Sequence, residues 1–461
     1  MRTIRYGNNV KISTLRAANN SYCSGNGSGR KWTTRFWWVV VCACLLCFPG
    51  VSKAGPAAVQ PQSYGYFDFP TCVRYALVHS EDFLKTRLDI QFRSAELKDA
   101  HSELLPTIEL ITRYYLSRAS GSAALSVSVY SSSWDPFLAL LKIKSHGILV
   151  DIGKLNHYEK IADNVAKMAK VFYRIHVLEK TIRGRKQILA LQQSKVNYGK
   201  SRLDQGAYDS LTLRSLQNAA RGEQMKINGQ ERELREKVSE LKALMGYHPD
   251  FELPLDTRDA ANQILNGFNG NVVTFGDVQG QNLSLRIIAK QEQVQSNRVT
   301  GAYVALVPKP LVQIEDVHNQ VDRTSGFNFA VGLNYTLWDG FRKVREIKKQ
   351  KMKGEELKID RSQMSQKLYI SFKNLRGELD ASGEREGFYR EQAKLAELSE
   401  EKAFLSYKAG DLPYDDYITR RMERVEAEIS SAGSVQGRVD ALIDLATIAG
   451  GLNKYNAAIS F

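Results

Sequence analysis

The chain has 461 residues and a formal net charge of +14, which at first sight favours a nucleic-acid partner. Residues 1–54, however, carry eight basic and no acidic side chains, and the other 56 basic and 50 acidic residues leave only +6. That balance along the rest of the chain is typical of an ordinary solvated surface. The composition therefore argues against nucleic-acid binding.

The first 54 residues have the pattern of an export signal. A basic segment ends at Arg35, an apolar run of 13 residues extends from Phe36 to Phe48, and Ser52 and Ala54 fit the small-residue rule for cleavage. The apolar run is shorter than the roughly 20 residues that a membrane-spanning helix needs. We therefore predict a cleaved signal peptide over residues 1–54, with a membrane anchor as the alternative.

Cysteine usage agrees with export. Cys23, Cys42, Cys44 and Cys47 lie in the signal segment, so that the exported chain keeps only Cys72 and cannot form an internal disulfide. Absence of disulfides suits a large exported protein that buries its own core. The Val-Cys-Ala-Cys stretch that ends at Cys44 also resembles a lipoprotein acylation site, and lipidation at Cys44 stays open as a second alternative.

After a linker at residues 55–67, the pattern predicts a first structural repeat over residues 68–253. Helical periodicity continues to Pro106, and alternation within residues 107–152 predicts strands. From Gly153 onward, apolar residues spaced by threes and fours predict a long helix. The first repeat therefore combines helices, strands and a helical hairpin.

The second half repeats this layout over residues 254–455, with strands at about 309–338 and a C-terminal tail at 456–461. In each repeat a turn joins two long helices, at tips near residues 202–210 and 407–417. Three glycine pairs share one offset of 204 residues: Gly206 and Gly410, Gly229 and Gly433, and Gly246 and Gly450.

The clearest strand pattern covers residues 327–337, where large apolar residues alternate strictly with small or polar ones. Such alternation occurs in soluble sheets, but 11 residues is also the length of a tilted strand that crosses a bilayer. Trp134 and Trp338 lie in or beside the strand segments, as interfacial aromatic residues do. Four strands in one chain cannot close a barrel, so a membrane location requires several copies.

Several segments together resemble the TolC family of outer-membrane efflux and secretion channels. They are the helix that ends in Leu-Leu-Pro, the Leu-Asn-Tyr-Thr-Leu-Trp-Asp-Gly segment before a long helix, the Arg-x-x-x-Gly turn at residues 202–206 and the helix end Leu-Lys-Ala-Leu-Met-Gly. The doubled layout is more specific than any of them, and the resemblance covers about residues 68–455.

The resemblance implies a mainly α-helical fold with transmembrane β-strands, assembled as a homotrimer. Each chain would give four strands to a 12-stranded barrel in outer-membrane lipid, and the long helices would form a tunnel across the periplasm. Expected partners are a periplasmic adaptor protein and an inner-membrane transporter. The chain would be an exit duct of a tripartite efflux or type I secretion system.

The resemblance also implies a gate at the second tip. Tyr407 and Asp416 match the family's gate positions three residues before and six residues after the tip glycine. Thr419 stands where a second acidic residue is expected and Leu412 where an arginine is expected, so Asp411 and Asp415 are further gate candidates. Adaptor contacts are expected at the tips, at Arg202, Leu203, Gly206 and Gly410.

No motif for catalysis or phosphate binding occurs, the seven histidines are scattered without His-x-x-x-His spacing, and Cys72, the one cysteine outside the predicted signal peptide, has no cysteine near it that could form a metal site. The sequence therefore predicts no enzymatic activity, no cofactor and no metal site. The alternative to an exit duct is a periplasmic or surface coiled-coil interaction protein that forms no channel.

Overall fold

The computed structural model of the chain describes residues 66–105, 109–116, 123–130, 135–267, 274–319 and 324–450. The predicted signal peptide, Trp134 and the predicted tail lie outside these residues. The predicted linker is described only at its end, where Phe67 is buried. Phe67 pairs with Leu255 in a β-bridge, and its amide donates to the Pro254 carbonyl at 2.7 Å. Phe67 therefore belongs to the folded unit.

The first repeat contains two shorter helices, two strands and two long helices. In chain order they are α1 (Phe69–His79), α2 (Glu81–Ser102), β1 (Glu109–Leu116), β2 (Ala123–Tyr130), α3 (Pro136–Asp204) and α4 (Ser210–Met245). Helix α3 has 69 residues, which corresponds to about 100 Å of helix. A short helix, α5 (Ala260–Gly267), follows in the connection to the second repeat.

The second repeat has the same order of elements. They are α6 (Phe275–Gln281), α7 (Leu283–Val304), β3 (Lys309–Asn319), β4 (Thr324–Asn334), α8 (Arg342–Ala409) and α9 (Tyr414–Ile448). Helix α8 has 68 residues against 69 in α3, and α9 has 35 against 36 in α4. Residues 410–413 join α8 to α9 at the second tip.

The start of α3 differs from the sequence prediction, because residues 136–152 are helical rather than part of the strand region. Asp135 accepts a hydrogen bond from the Leu138 amide at 3.0 Å, and Pro136 occupies the first helical turn. Gly153 lies inside the helix, where a Cβ would come within 2.8 Å of the Arg93 side chain. This glycine therefore allows close packing against α2 and does not mark a boundary.

The four strands form one antiparallel sheet in the order β1-β2-β3-β4. Eleven residue pairs join β3 to β4, from Lys309 opposite Asn334 to Asn319 opposite Thr324. Strand β4 begins and ends three residues earlier than the predicted strand at 327–337, and residues 335–341 lead from the sheet into α8. Within the described residues, β1 and β4 are the two edge strands.

The main hydrophobic core lies where the shorter helices pack between the long ones. Residues of α1 and α2 contact the middle of α3 and the C-terminal ends of α4 and α9, with Phe69, Phe83, Phe172, Leu241 and Ile443 fully buried. Cys72 lies in this core, where burial, aided by the charge of Asp68, raises the pKa of its thiol to about 12. The thiol is therefore protonated and unreactive at neutral pH.

The ends of α4 and α9 explain one of the repeated glycine pairs. Gly246 and Gly450 both have positive φ, at 69° and 68°. A Cβ on Gly246 would lie 2.6 Å from the carbonyl oxygen of His79, and one on Gly450 would lie 2.8 Å from that of Gln281. Both positions therefore need glycine for the same two reasons, the backbone conformation and the close approach of a neighbouring helix end.

Candidate gate at the hairpin tips

The two hairpins turn by the same backbone motif. Gly206 and Gly410 follow α3 and α8 with φ of 71° and 86°. At each tip the amide after the glycine donates to the carbonyl five residues earlier, at 2.8 Å and 3.0 Å, and the glycine amide donates to the carbonyl three residues earlier. This is the Schellman arrangement, which ends a helix sharply and fixes the direction of the next one.

The helices that follow the two turns begin differently. Asp209 caps α4 by accepting the Thr212 amide at 2.8 Å, and the hydrogen bonds from Thr212 lower the pKa of Asp209. The residue at the equivalent position before α9 is Pro413, which has no side-chain acceptor. The carboxylates of Asp415 and Asp416 therefore lie in the first turn of α9 without a capping role.

The structure separates the three predicted acidic gate residues. Asp411 and Asp416 are exposed, and within the described residues Asp416 forms no ion pair and no hydrogen bond. Asp415 is half-buried, and its carboxylate lies 3.1 Å from Nζ of Lys195 on α3. Lys195 also donates to the Thr419 hydroxyl at 2.9 Å. Only Asp416 and Asp411 are thus free to face an ion or a partner.

Aromatic rings connect the two tips. Tyr198 of α3 contacts Tyr208 of the first tip and Tyr414 of the second, at ring-centroid distances of 6.4 Å and 5.1 Å. Tyr414 contacts Tyr407, which stacks on Tyr417 at 5.4 Å with an interplanar angle of 8°. The predicted gate residue Tyr407 therefore packs against rings of its own hairpin, and Tyr198 provides the contact between hairpins.

The arginine of the first tip, Arg202, contacts a residue of its own hairpin. Nε of Arg202 donates to the Tyr198 hydroxyl at 2.8 Å, and the guanidinium lies 5.1 Å from the centre of the same ring. Leu203 is half-buried, and Gly206 and Gly410 are exposed. Burial raises the pKa of Tyr208, and the carboxylates of Asp415 and Asp416 act in the same direction. The acidic end of the second tip thus lies near the first tip.

Polar contacts fasten α9 to α3 along its length. We call this set the α3–α9 ladder: Lys170 to Asp444 at 2.6 Å, Arg174 to Gln436 at 2.9 Å, Arg185 to Glu426 through two bonds of 2.6 Å and 2.7 Å, and Lys195 to Asp415 at 3.1 Å. Arg174 and Arg185 also pair with Glu233 and Glu223 of α4. The α3 cations thus hold both hairpins together.

Sequence reasoning missed Lys195 and Tyr198. Both lie on the long apolar-striped helix, where a lysine and a tyrosine have no distinguishing pattern. The usable signal was their position within about three turns of the Gly206 tip, which places them beside the neighbouring tip if the hairpins run side by side. That arrangement comes from tertiary packing and not from local sequence.

The opposite end of the long helices carries exposed apolar residues. In β4 and the segment after it, Phe329, Val331 and Leu333 are exposed, Leu337 is 90% exposed and Trp338 is 72% exposed. Similar exposed residues lie where the other helices meet the sheet, and we call the whole set the junction belt: Leu105, Phe137, Leu140, Tyr303, Leu306, Val307, Leu337, Trp338 and Phe341. Trp338 packs edge-on against Phe341 with centroids 5.0 Å apart.

Among the described residues, no helix combines the length and the apolar character that a membrane-spanning helix requires. In the same part of the chain, no group of three or more histidine, cysteine or carboxylate side chains could hold a metal ion. The arrangement offers exposed carboxylates at one end and an exposed apolar sheet at the other.

Solved structures with the same arrangement are outer-membrane channels. CusC aligns with a TM-score of 0.71 at 12% identity, over 85% of this chain and 95% of CusC. VceC from Vibrio cholerae aligns with a TM-score of 0.68 at 12% identity, over 83% of this chain and 96% of VceC. The open state of MtrE from Neisseria gonorrhoeae aligns with a TM-score of 0.66 at 13% identity, over 83% of this chain and 88% of MtrE. The chain has the fold of these channels.

The TolC-like fold predicted from the sequence is thereby confirmed. The chain is mainly helical with few strands, as expected from the paired long helices. No protein-family description matches the sequence, and no curated protein matches it. At 12–13% identity the likeness concerns the fold, and the neighbours are channels rather than enzymes.

Proposed function

We propose that the protein is an exit duct of the outer membrane, assembled as a homotrimer with a 12-stranded barrel. One observation carries this proposal: a four-stranded sheet with two unpaired edges and an exposed apolar face on β4 stands at the end of two long helical hairpins. Open sheet edges are not tolerated in lipid, so the edges β1 and β4 must pair with other copies. Leu337 and Trp338 would then face lipid and its boundary.

Exposed apolar residues on α8 support the assembly. Val344, Met352 and Ile359 are exposed at spacings of eight and seven residues, and Phe388 and Leu395 repeat the seven-residue spacing further along. Spacing of this kind is typical of a helix that packs against another helix. The other side of α8 already contacts α7 and α9. A neighbouring copy is the partner that would cover the exposed stripe.

The gate belongs to this proposal. In a three-fold assembly Asp416 becomes a ring of three carboxylates, which favours cations and disfavours anions. Its exposure and its lack of a capping or pairing role support this assignment, and exposed Asp411 adds charge nearby. Asp415 has a different role, because its ion pair with Lys195 holds the second tip against the first hairpin.

The tips are also the proposed contact for a periplasmic adaptor, with Arg202, Leu203, Gly206 and Gly410 as the candidate surface. The partnership with an adaptor and an inner-membrane transporter rests on the resemblance of the sequence to the TolC family. The two matching Schellman turns support it, because they present two similar blunt ends side by side.

Bilayer conductance of the purified oligomer tests the proposal. We expect channels with a cation preference that falls several-fold in Asp416→Asn. Asp204→Asn is the matched control, because it removes one exposed carboxylate from the first tip. An unchanged cation preference in Asp416→Asn would refute the gate residue. Release of the protein from membranes without detergent, and no channels, would favour the coiled-coil interaction protein instead.

A further inference from the structure

A strongly basic segment begins α8. Between residues 342 and 353 there are seven basic side chains and one acidic one. We call the seven the basic collar: Arg342, Lys343, Arg345, Lys348, Lys349, Lys351 and Lys353. Within the described residues none of them forms an ion pair, and Gln350 donates to the one carboxylate of the segment, that of Glu346. The collar is therefore a concentration of uncompensated positive charge.

The fold does not require this charge. Both helices have an aspartate acceptor at the start: the Leu138 amide of α3 donates to Asp135 at 3.0 Å, and the Arg342 and Lys343 amides of α8 donate to Asp339 at 3.2 Å and 3.0 Å. At the offset of 204, however, the collar positions correspond to Leu138, Ala139, Leu141, Lys144, Ser145, Gly147 and Leu149. Six of these seven equivalents are uncharged.

The charge also opposes the local electrostatics of the helix. A helix N-terminus carries a partial positive charge, so cations in its first turn are unfavourable by a few tenths of a kcal/mol or more each. Arg342, Lys343 and Arg345 all lie in this region. These charges therefore do not stabilise the helix that carries them.

The collar lies next to the junction belt. Arg345 to Lys349 follow Trp338 by 7 to 11 residues, which puts them about 5–10 Å along the helix from its start. Two collar lysines reach aromatic rings near the sheet: Nζ of Lys343 lies 5.6 Å from the ring centre of Tyr335, and Nζ of Lys351 lies 5.4 Å from that of Tyr303. The ammonium groups therefore lie just beyond the residues that mark the edge of the apolar layer.

We infer that the basic collar binds the phosphate groups of anionic phospholipids at the periplasmic face of the outer membrane. The inference rests on the proposed membrane location of the sheet. The aromatic residues of the junction belt fix how deeply the sheet lies in the membrane. The collar then lies within about 8–10 Å of the lipid headgroups, a distance of one electrostatic screening length at physiological salt. Lysine and arginine side chains at this distance are attracted strongly by an anionic membrane surface, and they are long enough to reach the lipid headgroups.

The test uses the purified full chain reconstituted into mixed vesicles of phosphatidylglycerol and phosphatidylcholine. One of the two lipids is brominated in each preparation, and all proteins compared carry phenylalanine at positions 32, 37, 38 and 134, so that quenching of tryptophan fluorescence reports which lipid lies beside Trp338. The variant Arg342→Gln/Lys349→Gln/Lys353→Gln removes three exposed collar charges from one side of α8, beside the Val344, Met352 and Ile359 stripe and not within it. Lys373→Gln/Lys394→Gln/Lys402→Gln is the matched control, because it removes the same charge from exposed positions of α8 far from the belt.

We expect wild type and control to be quenched preferentially by brominated phosphatidylglycerol, and high salt to reduce this preference. In the collar variant this preference for brominated phosphatidylglycerol should fall by about fivefold or more, since each cation near an anionic membrane surface contributes a factor of roughly five to the affinity. Equal quenching by both lipids in the wild type would refute the binding of anionic lipids by the collar, whereas the proposed membrane location of the sheet would stand. Absence of quenching by either lipid would refute the membrane location itself.

One further outcome separates lipid from ions in the pore. If the collar variant keeps the lipid preference of the wild type and instead changes the ion selectivity of the conductance, the collar faces the pore and the inference is wrong. If lipid preference falls while ion selectivity stays as in the control, the collar faces the headgroups as inferred.

Discussion

The two hairpin tips have the same backbone and different chemistry. Both turn at a left-handed glycine with the same pair of hydrogen bonds. At the first tip, Asp209 caps α4 by accepting the Thr212 amide. At the second tip, Pro413 occupies the equivalent position, and Asp416 caps nothing. The two repeats therefore share the turn but not the cap, and Asp415 and Asp416 of the second tip correspond to the uncharged Leu211 and Thr212 of the first.

The largest expected effect concerns the contact between the tips. Tyr198→Ala should lower the local stability of both tips by about 2–3 kcal/mol, because the ring contacts Tyr208 and Tyr414 and supports Arg202. Amide hydrogen exchange in the first turns of α4 and α9 measures this. Tyr198→Phe is the control, since it keeps the ring and loses only the hydroxyl. If exchange rose at the first tip alone, the ring would not join the two hairpins.

Equal backbones predict equal costs at the tip glycines. Gly206→Ala and Gly410→Ala should each destabilise the tip by about 1–2 kcal/mol, because both residues have positive φ. A Cβ at either position meets open space, so no clash adds to the conformational cost. Hydrogen exchange of the two variants checks this, and a difference well above 1 kcal/mol would show that the two turns are not equivalent.

Unequal caps predict unequal costs at the carboxylates. Asp209→Ala should destabilise the start of α4 by about 1 kcal/mol, since it removes the acceptor of the Thr212 amide. Asp416→Ala should change the stability of α9 by less than about 0.5 kcal/mol, because this exposed carboxylate caps nothing. Exchange rates in the first turns give both numbers. A comparable loss in the two variants would show that Asp416 has a structural role.

The smallest expected effect is the ion pair that fastens the second tip. The side chain of Asp415 is 32% exposed and that of Lys195 is 12% exposed, so solvent partly screens the pair. A double-mutant cycle of Lys195→Met and Asp415→Asn should give a coupling of about 0.5–1 kcal/mol. No coupling would mean that the rings alone join the tips. Conductance of Lys195→Met should show more frequent opening than that of the wild type.

Much of the fold could be predicted from the sequence because the repeat is strongly patterned. The alternation in β4 and the glycines at 206, 246, 410 and 450 have local physical causes, namely the pleat of a strand and the left-handed end of a helix. The start of α3 was mispredicted, because a short apolar run such as residues 147–153 fits a strand or a buried helix. The Asp135-Pro136 cap signal decided in favour of the helix.

The candidate site was less predictable than the fold. The resemblance pointed to Tyr407, Asp411, Asp415 and Asp416 together, but only the packed hairpins show that Asp415 is paired and Asp416 is not. Lys195 and Asp415 are 220 residues apart in the sequence, and no local pattern indicates which of the 64 basic side chains meets which acidic one. Such pairings depend on helix register, which only the packed structure determines.

The spacing of the α3–α9 ladder sets how the second hairpin can move. On α3, Lys195 is 10 residues from Arg185, about 15 Å, Arg185 is 11 residues from Arg174, and Arg174 and Lys170 at the other end are only four residues apart. Displacement of the tip alone therefore breaks the ion pair and the hydrogen bond that Lys195 forms with Asp415 and Thr419, together with one ring contact, and the next bonds, the two between Arg185 and Glu426, stay intact. The N-terminal end of α9 at the tip is thus held by fewer contacts to α3 than the rest of the helix and can move more easily.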